Sequence, residues 1–328
     1  MSDSSTPGKA DDLNKAPGQE GKEGQLEIFS FDNEITELPS KEDVSSMEFP
    51  LFTLAKKPDT SVREYSKGGK TLKVIPPVVG AANVFDKDLL IYAISHLVKA
   101  KNVSVDSSLS RTVRFDVYPF LRHTRRSTGG AAYRRVVDTL QRLRGTTIET
   151  NIRTTDQERT RGFSMIDSYE IVRSTKAGGA LEVEITLSDW LYRQILAFEV
   201  LTLAPEYFTL TQSIERRLYE LARKHCADQG VWKCNLKLLQ EKCGSRQAKK
   251  SFMHDLRTIA EEDNLPQYRL VLDEDVDEPM AVFLNRDTKK LHLFLMKNNL
   301  IAWYEGLMAS SKARSQARAA KRHSSDAE

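Results

Sequence analysis

The chain has 328 residues, 40% apolar and 29% charged, enough for two globular domains with a core each. No run of 18 apolar residues is present to span a bilayer, and the opening MSDSSTPGKADDLNK has no apolar stretch behind a basic one, so a cytoplasmic protein with no membrane role is expected. The net charge of +3 is unevenly spread: residues 1–48 hold twelve acids against four lysines, which leaves about +11 on the other 280 and gives that part reason to seek polyanions.

Residues 1–45 are rich in Gly, Ser, Lys, Asp and Glu with few apolar side chains, and are expected to form a disordered acidic tail. The first domain is placed at 46–200. There Asp86 is expected to cap a helix whose Leu90, Ala93, Ile94, Leu97 and Val98 form one apolar stripe. A short helix covers 117–122, with Pro119 in its first turn. After the turn signal Ser127-Thr128-Gly129-Gly130, a third helix runs to about Arg144 with Tyr133, Val136, Val137, Leu140 and Leu143 inward, and Gly145 stops it. Period-two patterning predicts strands at 148–152, 163–173 and 181–187, with 154–161 as a hairpin tip. Ser188 caps the next helix, DWLYRQILAF.

The second domain, at 201–308, repeats this order. A long helix from about 211 to 226 carries Ile214, Leu218, Leu221 and Ala222; Asn235 caps a short helix that ends at Gly244. A third helix at about 246–262 buries Phe252, Leu256 and Ile259. Strands at about 268–272, 280–284 and 291–296 follow, with the acidic DEDVDEP as a hairpin tip. Residues 309–328 contain Lys312, Arg314, Arg318, Lys321 and Arg322 and no large apolar side chain, and are read as a basic disordered tail. The duplication is architectural, without a residue-level repeat.

Three helices followed by a hairpin is the order of a winged helix, which places its third helix in the major groove of DNA and its wing beside the backbone. The expected fold is therefore α+β, with two tandem winged-helix domains between disordered tails. From 122 to 144 the first domain carries seven arginines against one acid, Asp138, and like charges at this spacing repel unless counter-ions are supplied. Arg122, Arg125, Arg126, Arg134, Arg135, Gln141 and Arg142 are its candidate DNA-binding residues. In the second domain the candidates are Arg246, Gln247, Lys249, Lys250, His254 and Arg257, concentrated where such a helix meets base edges. The plain alternative is a solvated charged helix face.

Catalytic chemistry finds little support. KGGKT at 67–71 resembles the end of a phosphate-binding loop, but the first glycine of that motif would fall on Glu64. The six histidines form no His-x-His pair for a nicking enzyme's metal site. Cys226, Cys234 and Cys243 are too far apart for a zinc site and are expected to be reduced thiols. No metal, cofactor or catalytic residue is expected; a DNA nickase or primase would need clustered carboxylates, and DEDVDEP offers them on an exposed tip.

The segments MEFPLFTLAKKPD, VFDKDLLIYAIS, TGGAAYRRVVDTLQRLRGTTIETNI, FSMIDSYEIV, IERRLYELARKHC and KKSFMHDLRTIAEEDNLP, in this order, give the chain its likeness to a family. Over residues 47–308 it resembles the replication initiator protein A family of broad-host-range bacterial plasmids. The resemblance implies two winged helices that grip repeated origin sites (iterons), origin melting, recruitment of the host initiator and replicative helicase, a monomer–dimer equilibrium, and no catalysed reaction. It also implies that the second domain does the main sequence reading and the first supplies backbone contacts and dimerisation. A transcriptional repressor, acting at its own promoter, would use the same fold.

Within the acidic tail, Gln25-Leu26-Glu27-Ile28-Phe29 is an apolar island. It resembles the short peptide by which replication proteins dock on the bacterial sliding clamp, with Gln25 as anchor and Leu26 and Phe29 as apolar contacts. The alternative is a segment that folds back on the first domain.

Overall fold

The computed structural model describes residues 29–30, 38–67, 70–103, 110–153, 158–173, 181–227 and 229–325. Gln25 and Leu26 lie outside the described residues. The backbone of Phe29–Ser30 (β1) runs parallel to Val113 and Arg114, so this end of the island lies against the first half of the chain. The acidic tail expected through residue 45 is ordered sooner than that: Lys41–Asp43 forms strand β2, and Val44–Glu48 forms helix α1. Its cause is local, since the Ser46 N–H donates to the Asp43 carboxylate at 2.7 Å and fixes the helix start.

Strands β3 (Arg63–Lys67) and β4 (Lys70–Ile75) pair antiparallel, with Lys67 opposite Lys70. Then come α2 (Lys87–Val103), β5 (Thr112–Asp116), α3 (Val117–His123) and α4 (Gly130–Gly145), all three helices close to their sequence-predicted positions. Strands β6 (Thr147–Arg153), β7 (Glu158–Phe163), β8 (Ile166–Arg173) and β9 (Leu181–Leu187) lead into α5 (Asp189–Leu196), where Ser188 Oγ accepts from the Leu191 N–H. The expected tip at 154–161 is shorter, because the strand resumes at Glu158 and pairs back on β6. Leu90, Ile94 and Leu97 of α2, Phe120 of α3 and Val136, Leu140 and Leu143 of α4 share one core with Val113, Val183 and Ile185 of the sheet.

After β10 (Val200–Thr202), which pairs with β2, and a 3-10 turn at Pro205–Thr209, the second half runs α6 (Ser213–Cys226), β11 (Val231–Asn235), α7 (Leu236–Cys243) and α8 (Lys249–Glu262). Asn235 caps α7, and Gly244 ends it at φ 68, a left-handed conformation that suits glycine. Strands β12 (Tyr268–Asp273) and β13 (Met280–Asn285) follow. Each half thus orders its elements as helix, strand, two helices and two strands. Their sheets also match: β5-β9-β8 in one and β11-β13-β12 in the other, with β1 added at the outer edge of the first. The halves differ in the inserted β6–β7 hairpin, which joins β3 and β4 in a separate sheet.

Two expectations fail in the last part of the chain. The predicted strand at 291–296 is a helix, α9 (Thr288–Lys297), started by the Asp287 carboxylate accepting from the Lys289 and Lys290 N–H groups. Leu291, Phe294 and Leu295 then fall on one helical face, although their spacing also tolerates alternation. The predicted basic tail at 309–328 continues α10 (Ile301–Ser325). Ala, Arg, Lys and Gln favour the helix, and Arg314 and Arg318 anchor it: Arg314 Nη2 donates to the Leu272 carbonyl at 2.8 Å, and Arg318 Nε to Glu261 at 2.6 Å.

These helices have a layer to complete. One face of the β11–β13 sheet, with Leu270, Leu272, Ala281 and Phe283, packs on α6, α7 and α8. The opposite face presents Val231, Val271, Val282 and Leu284, and Leu295 of α9 and Leu307 of α10 cover it. Leu307→Ala should therefore lower stability by about 2 kcal/mol or more in urea unfolding, the usual cost of truncating a buried leucine; an unchanged midpoint would mean that α10 does not belong to this core.

The two halves meet at a buried ionic junction. Lys87 of α2 is 2% exposed, and its Nζ donates to Glu42 of β2 and Glu220 of α6, each at 2.7 Å. Tyr207 OH donates to Glu220 at 2.8 Å, and Arg217 reaches the same carboxylate at 3.1 Å. Burial, and then the Glu220 carboxylate beside it, push Glu42 up to about 8. Lys87 and Arg217 outweigh the burial of Glu220 and hold it below its usual range. Since Glu42 keeps in the folded state a proton that the unfolded chain gives up near 4.5, its contribution to stability falls as pH rises from about 4.5 to 8 and is level outside that window. Glu42→Gln should gain on the parent protein between about pH 5 and pH 8 in paired denaturation curves, whereas a constant difference would contradict the shift.

Candidate nucleic-acid interface

Helices α4 and α8 occupy the same place in their halves, third of three, and each is buried along one stripe. In α4 that stripe is Ala132, Val136, Thr139, Leu140 and Leu143; in α8 it is Phe252, Leu256 and Ile259. The opposite faces are left to solvent and carry Arg134, Arg135 and Gln141 on α4, and Lys249, Lys250 and His254 on α8. None of these five cationic or imidazole side chains forms an ion pair among the described residues. Helix α8 starts at Lys249, three residues later than the sequence suggested, so Arg246 and Gln247 belong to the turn before it.

Arginines between α3 and α4 divide into two groups. Arg122 and Arg125 are exposed, and Arg125 closes α3 at φ 53 while the Arg126 N–H donates to the Leu121 carbonyl at 2.8 Å. Arg126 turns inward: its Nε and Nη2 donate to Asp88 at 3.2 and 2.8 Å, and its guanidinium lies over the Phe120 ring. Arg142 is also committed, donating through Nε and Nη2 to the two Asp86 oxygens at 2.8 and 2.7 Å. Asp86, expected to cap α2, instead gathers Arg142, the Thr139 hydroxyl and the Asn83 N–H. The hydrogen bonds that Arg142 donates to Asp86 hold its guanidinium more firmly charged than an isolated one.

In the second half, Arg257 lies bidentate on Glu274 at 3.1 and 2.7 Å, a contact that raises the arginine and lowers the carboxylate. The acidic DEDVDEP tip is thereby drawn back against the protein, with Asp275 on Arg314 and Glu274 also facing Arg318. Gln247 donates to Asp255 at 2.8 Å. Arg246 reaches Asp59, in the segment before β3, at 2.6 Å. Burial alone would raise Asp59, but hydrogen bonds from Ser61, Arg246 and Thr53 bring it to about 2. Sequence reasoning missed two cations near this contact: Lys56 and Lys57 are exposed and line one groove with Arg125 and Arg135. The signal was present as two adjacent lysines before a proline in LAKKPD.

The described residues contain no group of three or more His, Cys, Asp or Glu able to hold a metal ion. Cys226, Cys234 and Cys243 are buried and unbridged, and burial pushes the thiols of Cys226 and Cys243 up to about 12. Among the described residues no helix is long and apolar enough to cross a membrane.

This mixed helix-and-sheet architecture is similar to that of two crystal structures of RctB domains 2 and 3. One aligns with a TM-score of 0.55 at 13% identity, covering 71% of this chain and 94% of that one. In the other the TM-score is 0.50 at 12% identity, with coverage of 74% and 97%. At such identities the likeness is one of fold. Sequence adds descent: the family model for replication initiator protein A matches residues 41–270. A relative from Wigglesworthia glossinidia brevipalpis, described as "Putative replication protein", is 38% identical over 249 residues, 75% of this chain and 86% of its own length. The chain belongs to the replication initiator protein A family, and with that membership goes a role in starting replication.

The two groups of arginines separate in stability measurements. Arg142→Ala strands the buried Asp86 carboxylate and should cost about 1–3 kcal/mol. Arg134→Ala and Arg135→Ala should stay within about 0.5 kcal/mol of the parent, as exposed substitutions usually do. Equal losses in all three would erase the distinction.

Proposed function

We propose that the chain initiates plasmid replication as a sequence-specific duplex-DNA-binding protein, acting by binding and catalysing no reaction itself. The two matched units act as winged helices, with α4 and α8 in successive major grooves and the β8–β9 and β12–β13 hairpins beside the backbone. The observation that carries this reading is the pair of third helices whose outward faces hold cations without carboxylate partners among the described residues. An arginine or glutamine on such a face can meet guanine or adenine edges, and lysines hold phosphates.

Several copies bound at adjacent repeats would bend the DNA and strain a nearby A·T-rich segment toward opening. In this proposal the monomer binds iterons, a dimer occupies the promoter, and bound copies recruit the host initiator and replicative helicase. Contact between the Gln25–Phe29 island and the sliding clamp would add a further tie to the replication machinery.

DNase footprinting of the replicon at physiological salt tests the reading. The expected result is protection of several direct repeats phased near whole turns of about 10 bp, lost in the Lys249→Ala/Lys250→Ala variant at the same protein concentration. A single inverted repeat at the promoter would instead describe a repressor, and no discrete footprint would mean that the basic helices bind charge alone.

A further inference from the structure

The segment between α1 and β3 is a loop buried at Leu51, Phe52, Thr53 and Asp59 and exposed at Lys56, Lys57 and Pro58, and it is held at many points. The Thr53 hydroxyl donates to Asp59 at 3.0 Å and the Ser61 N–H to the same carboxylate at 3.1 Å. The Ala81 N–H donates to the Asp59 carbonyl at 2.8 Å, and Ser213 Oγ of α6 to the Leu54 carbonyl at 2.7 Å. Gly80, at φ 91, lies so close to the loop that a Cβ there would stand 2.9 Å from Pro58. Lys56 and Lys57 therefore project from a fixed backbone, and placing them on a ligand orders their side chains without a further backbone cost.

Their position is between the two recognition helices. On one side the loop faces Arg125 and Arg135 across a groove whose buried carboxylates, Asp86 and Asp88, are already neutralised by Arg142, Arg126 and Arg216. On the other side Asp59, two residues beyond Lys57, holds Arg246 at the entrance to α8. Lys56 and Lys57 have no ion pair among the described residues, and neither do Arg125 and Arg135. The loop thus lies beside the cations of α4 on one side and, through Asp59 and Arg246, beside the turn that leads into Lys249 and Lys250 on the other.

We infer that this loop is a third DNA-contacting element, in which Lys56 and Lys57 hold the sugar-phosphate backbone between the two stretches read by α4 and α8. The inference rests on the DNA-binding reading and deepens it. Lysine suits the role because an ammonium is a point charge that takes phosphate oxygens without a required plane, so the loop contributes affinity and register and leaves base choice to the helices.

The test compares the full-length protein with its Lys56→Ala/Lys57→Ala variant on the duplex that the parent protects and on a random duplex of equal length. Anisotropy titrations at several salt concentrations should show the variant's log K against log salt flatter by about two, from a slope near 0.9 per phosphate lost, on both duplexes. Hydroxyl-radical footprints should lose protection at the centre of the site and keep it at both flanks. Both lysines are exposed, so the variant should melt with the parent. An unchanged slope with central protection intact overturns the inference while leaving the DNA-binding reading in place. Failure of the parent protein to bind any duplex overturns that reading, and this inference with it.

Discussion

Everything about the relation between the two halves depends on Lys87. Its ammonium sits in the interior and donates to the carboxyl group of Glu42 on β2, which keeps its proton up to about pH 8, and to the carboxylate of Glu220 on α6, so three separate parts of the chain converge on a single charge. Such an arrangement is a poor source of stability, because the charges lose their water to form it. What it imposes is geometry: a hydrophobic contact tolerates sliding, whereas a buried ammonium hydrogen-bonded to two carboxyl groups, one of them ionised, has few acceptable positions. The second ionic knot, Arg126 and Arg216 on Asp88, lies along the same seam and repeats the constraint. Together they tie α2 of the first half to α6 of the second, so that the placement of the two halves is fixed by contacts in the protein interior.

This explains why so many arginines in the chain are not available to a ligand. Arg126, Arg142, Arg216 and Arg217 spend their donors on carboxylates and carbonyls of the framework, and Arg257 and Arg318 hold the β12–β13 hairpin in place. Among the described residues, the cations with no ion pair include Arg134 and Arg135 on α4, Lys249 and Lys250 on the first turn of α8, and Lys56 and Lys57 on the loop between them. A charge count along the sequence mixes the two populations, and only contacts separate them.

Much of the fold was legible in the sequence where local chemistry decided it. The stripes of α4, α6 and α8, the Asn235 cap and the Gly244 stop all rest on interactions within a few residues. The short strands β5 and β11 were missed because five residues between two helices carry too little pattern, and they are defined by their distant partners β9 and β13. The C-terminal helices were missed for a related reason, although Met280–Asn285 held a clue: a continuous apolar run such as AVFL asks for cover on both faces of a strand. For the candidate interface, the basic third helices were visible in the sequence. That Arg142 belongs to Asp86, 56 residues away, was not.

The two-sided sheet also has a history during synthesis. A ribosome releases β11, β12 and β13 well before Leu307, and a nascent chain at that stage has helices for one face of the sheet and none for the other. Val231, Val271, Val282 and Leu284 then form a bare apolar surface with the edge strands still open, the kind of surface that chaperones hold and that aggregates in their absence. The second unit therefore cannot finish folding as α8 emerges. It waits for α9 and α10, made after the sheet they cover, to close over its back.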